Sequence, residues 1–201
     1  KEIKQVEQIL AKSQEANLIL VGEEGIGRQS IIDEFSRRVH EGKSNSLLNY
    51  KRVLRLNLEA ILTEYTDQKQ RENFLEELLK ESTDERNIIL VIDNFERYVS
   101  LGDTNHVDLT ISIEKYAKGS TLQIIGITTP FLYDKYILPN AVISQIFTKI
   151  DVEEIDKKES WEIILNLALS FERRYMVTIP YETIGTIIEK SEFYINGTPF
   201  P

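Results

Sequence analysis

The stretch LILVGEEGIGRQS, residues 18–30, joins an apolar strand, a glycine-rich turn and the start of a helix. This order is typical of a phosphate-binding loop, whose pattern is G-x-x-x-x-G-K-S/T. Gly22 and Gly27 occupy the two glycine positions, but Arg28 stands at the lysine position and Gln29 at the hydroxyl position. The stretch therefore predicts the fold of a phosphate-binding protein and leaves open whether the site is functional.

The glycines of this loop suit an anion site. Gly22, Gly25 and Gly27 permit backbone conformations with positive φ, which let N–H groups converge on a phosphate. The helix that begins near Arg28 adds the positive end of its dipole. In a working loop a lysine contacts the β- and γ-phosphates and a hydroxyl binds Mg²⁺. Arg28 keeps the charge on a larger, planar head, and the amide oxygen of Gln29 is a poorer magnesium ligand.

Ser30 carries a hydroxyl, but it stands one residue past the required position. One residue along a helix turns a side chain roughly 100° away, so Ser30 is a poor replacement. A glycine turn between a strand and a helix, without any ligand, is the alternative interpretation of this loop.

The run IILVIDNF, residues 88–95, predicts a buried strand that ends at Asp93. This matches the Walker B motif, whose aspartate holds Mg²⁺ through a water molecule. Asn94 stands where a glutamate can act as a general base, and an asparagine can orient a water but cannot take its proton. An acid that merely ends a strand is the alternative. Its place downstream of the glycine loop favours the motif.

Thr128 and Thr129 end a further apolar run, IIGITTP, residues 124–130. A polar side chain there can contact the γ-phosphate or the attacking water. Without the other two motifs, two threonines before a proline turn would carry no functional meaning. The predicted catalytic positions are Asn94 and Thr128, and Asp93 is the predicted Mg²⁺ ligand. The predicted nucleotide contacts come from Gly22, Glu23, Gly25, Ile26, Gly27, Arg28, Gln29, Ser30 and Asp93.

Strands and helices alternate along the chain, which indicates β-α-β units and a parallel sheet with helices on both faces. In such folds ligands bind where the carboxyl ends of the strands meet. The predicted strands cover residues 17–22, 52–58, 87–93, 121–129 and 148–155. The predicted helices cover residues 2–14, 28–42, 71–82, 107–119, 157–175 and 181–195.

Composition excludes several classes of protein. Of the 201 residues, 41% are hydrophobic and 28% charged, as in an ordinary globular domain. There is no cysteine, and only His40 and His106 supply imidazoles, so disulfides, thiolate metal sites and a histidine-rich metal centre are not expected. The net charge of −9 argues against a nucleic-acid partner. No apolar run suits a membrane span and the start is no signal peptide, so we expect a cytoplasmic protein without a membrane partner.

Taken together, these segments resemble the first ATPase module of the Clp-type AAA+ unfoldases along the whole chain. The similarity includes residues 2–39 with the glycine loop, the second strand in VLRLNLEAIL, the sensor-one strand in GITTPFLYDKYI, and YINGTPFP, where the helical lid begins. The resemblance implies an α/β AAA+ P-loop fold with a five-stranded parallel sheet of order 5-1-4-3-2. It implies a large subdomain over residues 1–180 and a truncated lid over 181–201, so we expect a fragment of a longer protein.

The resemblance also implies a homo-oligomeric ring, expected to be a hexamer, that threads protein substrates using ATP and Mg²⁺, with adaptor or protease partners. Several positions depart from the family pattern. Arg28 and Gln29 replace the lysine and threonine of the loop, and Asn94 replaces the Walker B glutamate. The family's paired arginine fingers should lie where the chain has Ser144, Gln145 and Ile146. Arginine fingers can raise the catalytic rate by ~10³–10⁵-fold.

The loop that contacts substrate in the pore of such rings is altered as well. Asp67 takes the position of its aromatic residue, and Tyr65 stands two residues earlier. We therefore hypothesise a pseudo-ATPase module that serves ring assembly or regulation. It binds ATP or ADP with Mg²⁺ weakly, if at all, and its hydrolysis is impaired.

Two alternatives remain open from the sequence. The first is an active Clp-like unfoldase module with an unorthodox loop, in which Arg37 with Arg38, or Arg173 with Arg174, supplies the missing charge. Solvated helix faces are the simpler interpretation of these pairs. The second is a P-loop switch or scaffold protein that loads onto nucleic acid, for which SRRVHEGKSN is the one notable basic strip.

Overall fold

The structure is a computed structural model that describes residues 1–65, 67–99, 108–119, 121–154 and 157–195. Three predicted features extend outside the described residues. They are the start of the helix at Val107, the end of the last strand at Ile155, and the lid segment over residues 196–201. His106 lies outside them too.

The chain folds into two compact units. The sheet unit consists of Lys1–Gly22 and Arg28–Val152, and the helical unit of Glu23–Gly27 and the segment from Glu153 onward. The strands are β1 (Asn17–Val21), β2 (Arg52–Leu56), β3 (Ile88–Asp93), β4 (Gln123–Thr128) and β5 (Phe147–Asp151). The helices are α1 (Glu2–Leu10), α2 (Arg28–His40), α3 (Leu58–Glu64), α4 (Gln68–Glu85), α5 (Thr110–Ala117), α6 (Pro130–Leu132), α7 (Ala141–Ile146), α8 (Lys157–Tyr175) and α9 (Tyr181–Tyr194), with a 3-10 turn at Phe95–Tyr98 and a π-helical turn at Tyr133–Ile137.

The sheet has five parallel strands in the order β2-β3-β4-β1-β5, which confirms the predicted fold class and strand order. β4 pairs with both strands that carry a predicted motif. Val21 at the end of β1 pairs with Thr128, and Asp93 at the end of β3 pairs with Ile127. Gly22, Asp93 and Thr128 therefore lie at the carboxyl ends of three neighbouring strands.

Burial explains why the central strands have the most uniformly apolar sequences. β1 and β4 are buried at every position, and β3 at all but its last, as expected for central strands covered on both faces. The outer strands β2 and β5 expose part of their residues, which matches their mixed sequences RVLRL and FTKID. The core that packs between sheet and helices includes Ile19, Leu75, Leu90, Phe95, Ile113, Ile124 and Ile143.

Capping side chains set several boundaries that differ from the prediction. β2 ends at Leu56, not at residue 58, because the Asn57 side chain accepts from the N–H of Ala60 and begins α3. Similarly, β4 ends at Thr128 because Thr129 caps α6. The sequence analysis missed α7, although Asn140 before an apolar run is a helix-start signal, and its side chain accepts from the N–H of Ile143.

The described part of the helical unit includes a pair of packed helices, α8 and α9. Trp161 and Tyr181 lie with ring centroids 5.2 Å apart, and Gly185 leaves room for the indole of Trp161. Ala168 and Ile184 are buried. Within the described residues, no helix is both long and apolar enough to cross a membrane.

Gly126 in β4 provides a test of the packing beneath the sheet edge. A Cβ there would lie 2.8 Å from Cγ of Phe95, which is fully buried. We expect Gly126→Ala to lower the free energy of unfolding by about 1–3 kcal/mol, because the ring must shift in a filled core. Chemical denaturation measures this. The control is Gly119→Ala, whose Cβ would find its nearest neighbour at 3.7 Å, and equal stability of the two variants would contradict the prediction.

Candidate functional site

The glycine loop connects β1 to α2. Gly25 and Gly27 have φ values of 86° and 91°, in the left-handed region that favours glycine, and Ile26 donates its N–H to the carbonyl of Glu23. These residues belong to the helical unit. In the sheet unit, the N–H of Gly22 donates to the carbonyl of Thr128 at 3.3 Å.

Arg28 is tied to the end of β4. Its Nη1 donates to the carbonyl oxygen of Thr128 at 2.7 Å, so this oxygen accepts from both the Gly22 backbone and the arginine. The first residue of α2 thus directs its charge along the sheet edge where the strands end. A guanidinium has five N–H donors, so this contact is compatible with a simultaneous contact to an anion.

Gln29 and Asp93 are brought together. The Gln29 Nε2 donates to Oδ1 of Asp93 at 3.2 Å. An ionised carboxylate only accepts hydrogen bonds, so the amide must present its nitrogen and not its oxygen to Asp93. Ser30, one residue on, is exposed.

Arg55 in β2 is a member of this cluster that the sequence analysis missed. Its Nε lies 3.6 Å from Oδ2 of Asp93, and its Nη2 lies 3.7 Å from Oδ1 of Asp33 in α2. The signal was a charged residue inside a strand that the predicted order already placed next to the strand ending at Asp93. The Asp93 carboxylate therefore lies between an amide donor and a guanidinium.

The residues around Asp93 do not fit a Mg²⁺ site. Mg²⁺ prefers oxygen ligands from carboxylates, hydroxyls, water and phosphate. Here both carboxylate oxygens of Asp93 face nitrogen groups, from Gln29 and from Arg55. Among the described residues, no three His, Cys, Asp or Glu side chains cluster where they could hold a metal.

The two predicted catalytic positions have different surroundings. Asn94 is exposed and has a φ of 51°, a left-handed conformation that asparagine tolerates, where the chain turns from β3 into the 3-10 turn. The Thr128 hydroxyl donates to Oε2 of Glu96 at 2.8 Å, and these two residues are 2% and 4% exposed. Glu96 was missed by the sequence analysis, although a glutamate soon after the Walker B acid was a visible candidate.

The arginine pairs considered as substitutes for arginine fingers lie on helix surfaces. Arg37 and Arg38 both form ion pairs with Glu34 at 2.8 Å, on their own helix α2. The hydrogen bonds from Arg37 and Arg38 lower the pKa of the Glu34 carboxyl to about 2. Arg173 and Arg174 lie exposed in the last turn of α8.

The residues at the predicted finger positions form part of the local framework. The Ser144 hydroxyl donates to the carbonyls of Ile137 and Leu138, each at 3.2 Å. Ile146 is buried in the core, and Gln145 is exposed. None of these three residues carries a guanidinium, so none of them can act as an arginine finger.

The two residues singled out in the pore-loop segment have structural partners. Tyr65 stacks on Phe74 with ring centroids 4.8 Å apart. The Asp67 side chain accepts from the N–H of Gln70 and caps α4. These contacts give both side chains a packing or capping role within the sheet unit.

A strand order of 2-3-4-1-5, with a glycine loop after β1, an acid ending β3 and a threonine ending β4, defines a P-loop fold of the AAA+ class. No family model matches the chain. It is 28% identical to the chaperone protein ClpB of Oceanobacillus iheyensis and 27% identical to the negative regulator of genetic competence ClpC/MecB of Bacillus subtilis, over its full length and 25% of each protein. The chain thus spans about a quarter of the length of these curated relatives.

Solved structures agree on the fold. The chain superimposes with a TM-score of 0.85 on Saccharomyces cerevisiae Hsp104 in complex with casein, at 23% identity over 98% of this chain and 34% of that one. With the Hsp104–ADP complex the TM-score is 0.84, at 24% identity over 100% and 28% of the two chains. The chain is thus similar in sequence to Clp proteins and has the AAA+ fold, as the resemblance in sequence predicted.

The buried Thr128–Glu96 contact yields a prediction about stability. Thr128→Val keeps the shape of the side chain but removes the donor to a buried carboxyl group. We expect the free energy of unfolding to fall by about 1–3 kcal/mol, as measured by denaturant titration. The matched control is Thr148→Val on the outer strand β5, where the side chain is only partly buried and the change should stay within about 0.5 kcal/mol. Equal effects at both positions would contradict the prediction.

Proposed function

We propose that this chain is a Clp-like AAA+ module that binds adenine nucleotide weakly, hydrolyses it very slowly or not at all, and serves ring assembly or regulation in a longer chaperone-type protein. The observation that carries the proposal is the state of Asp93. Its carboxylate is engaged by Gln29 and Arg55, and the residue that follows is Asn94, whose amide cannot act as a base.

Support for retained nucleotide binding comes from the loop and the helix that follows it. Gly25 and Gly27 have the positive φ values expected of a phosphate-binding turn. The helix α2 begins at Arg28, and a helix N-terminus favours an anion. One of the structural neighbours is a complex of Hsp104 with ADP, which makes adenine nucleotide the first ligand to test.

The alternative of an active unfoldase module has less support. It needs an arginine that reaches the γ-phosphate, and the arginines of one candidate pair, Arg37 and Arg38, form ion pairs with Glu34 on their own helix. The alternative of a nucleic-acid scaffold conflicts with the net charge of −9, and the same arginines form most of its basic strip. A hexameric ring, protein substrates, adaptor or protease partners and a cytoplasmic location stay predictions.

The test is a calorimetric titration of ATP and ADP into the full-length protein, with any further nucleotide site disabled by substitution, followed by a turnover assay. We expect weak binding and a turnover at least about 10³-fold below the usual kcat range of ~1–10³ s⁻¹, because base and fingers are missing. Turnover within that range would overturn the pseudo-ATPase proposal.

A pair of variants tests the role of Arg28. We expect Arg28→Ala to weaken ADP binding by about tenfold or more, because a charge-assisted contact to phosphate is lost. The control is Arg38→Ala, which removes the same type of side chain from the same helix at a position paired with Glu34. No binding at millimolar ADP to the unsubstituted protein would limit the proposal to assembly, and equal effects of both variants would contradict the role of Arg28.

A further inference from the structure

We propose that Arg55 takes the place of Mg²⁺ in this module, so that nucleotide diphosphate groups bind without a metal ion. The proposal rests on the proposed nucleotide binding and adds the chemistry of its cation. Arg55 lies close to the carboxyl end of β2, the strand next to β3, and it pairs with Val91 of β3. From there the guanidinium reaches Asp93, the acid predicted to hold the metal.

The charges around Arg55 are those of an occupied cation site. Its guanidinium lies 3.6 Å from a carboxylate oxygen of Asp93 and 3.7 Å from one of Asp33. Two carboxylates are thus neutralised in part by a cation that is covalently attached to the fold. A divalent ion at the same acid would have to displace the guanidinium or lie next to a like charge, and both options disfavour Mg²⁺.

Gln29 supports the same conclusion from the other side of the acid. Its Nε2 donates to Oδ1 of Asp93 at 3.2 Å, while Arg55 faces Oδ2. A hydroxyl oxygen at the Gln29 position could bind a metal, whereas the N–H group that Gln29 presents has no lone pair to offer one. Gln29 of α2 and Arg55 of β2 therefore both present N–H groups to Asp93, a pattern that suits a site without metal.

Arginine is also chemically suited to the remaining task of a metal, which is to neutralise phosphate oxygens. Its planar head carries five N–H donors and binds phosphate through paired hydrogen bonds. Its side chain is 42% exposed, and that of Asp93 is 31% exposed, so the guanidinium is accessible from the strand ends. Arg55 would then add its positive charge to that of Arg28 among the side chains at the carboxyl ends of the strands.

The experiment is a calorimetric titration of ADP into the full-length protein, with any further nucleotide site disabled, in excess Mg²⁺ and in EDTA. For the unsubstituted protein we expect dissociation constants that agree within about twofold between the two buffers. For Arg55→Gln we expect binding in EDTA to weaken by about tenfold, because a charge-assisted contact is lost, and Mg²⁺ to restore part of it, because Asp93 is released.

Two further variants make the result specific. Arg55→Lys keeps the positive charge and should keep metal-independent binding, with a smaller loss than Arg55→Gln. Arg52→Gln removes an exposed arginine from the opposite end of the same strand. This variant should leave the ADP dissociation constant unchanged in both buffers. Circular dichroism and thermal unfolding of each variant show that the fold is intact.

The outcomes separate this proposal from the one on which it rests. Loss of ADP affinity by tenfold or more when Mg²⁺ is removed from the unsubstituted protein would overturn the role of Arg55 and leave weak nucleotide binding in place. If the Arg55→Gln variant bound ADP equally tightly in excess Mg²⁺ and in EDTA, the role of Arg55 would be overturned as well. Absence of ADP binding in both buffers would overturn both this proposal and the nucleotide-binding part of the proposed function.

Discussion

The carbonyl oxygen of Thr128 joins the three parts of the predicted nucleotide edge. It accepts the N–H of Gly22, which continues the pairing of β1 with β4, and it accepts the guanidinium of Arg28. The same residue donates its hydroxyl to Glu96, in the turn that follows β3. Because one residue contacts Gly22 after β1, the 3-10 turn after β3 and the start of α2, the end of β4 holds these parts of the sheet unit together.

Internal partners are the common feature of the side chains at this edge. Arg28 contacts a backbone carbonyl, Gln29 and Arg55 contact Asp93, and the Thr128 hydroxyl is directed to a glutamate. In a site built for turnover such groups must exchange partners with phosphate, metal and water during each cycle. These internal contacts are consistent with the proposed loss of turnover.

The sequence predicted the elements whose environment is uniform. β3 is buried along nearly its whole length, so its apolar run identifies it without any knowledge of the fold, and the strand order came from resemblance. Arg55 and Glu96 could not be assigned in the same way. Their roles depend on contacts across strands, with Asp93 in one case and Thr128 in the other, and no local period encodes those contacts. Short α7, which a cap signal marked, was missed because its apolar run resembles the start of a strand.

Arg55 also affects the balance of charges at the carboxyl ends of the strands. Without a cation near them, the carboxylates of Asp93 and Asp33, which both face Arg55, would add charge repulsion to the folded state. A guanidinium attached to β2 removes part of that repulsion at all times, although an ion pair this exposed contributes little stability by itself. This charge balance does not depend on a bound ligand, which is compatible with the proposed role in ring assembly.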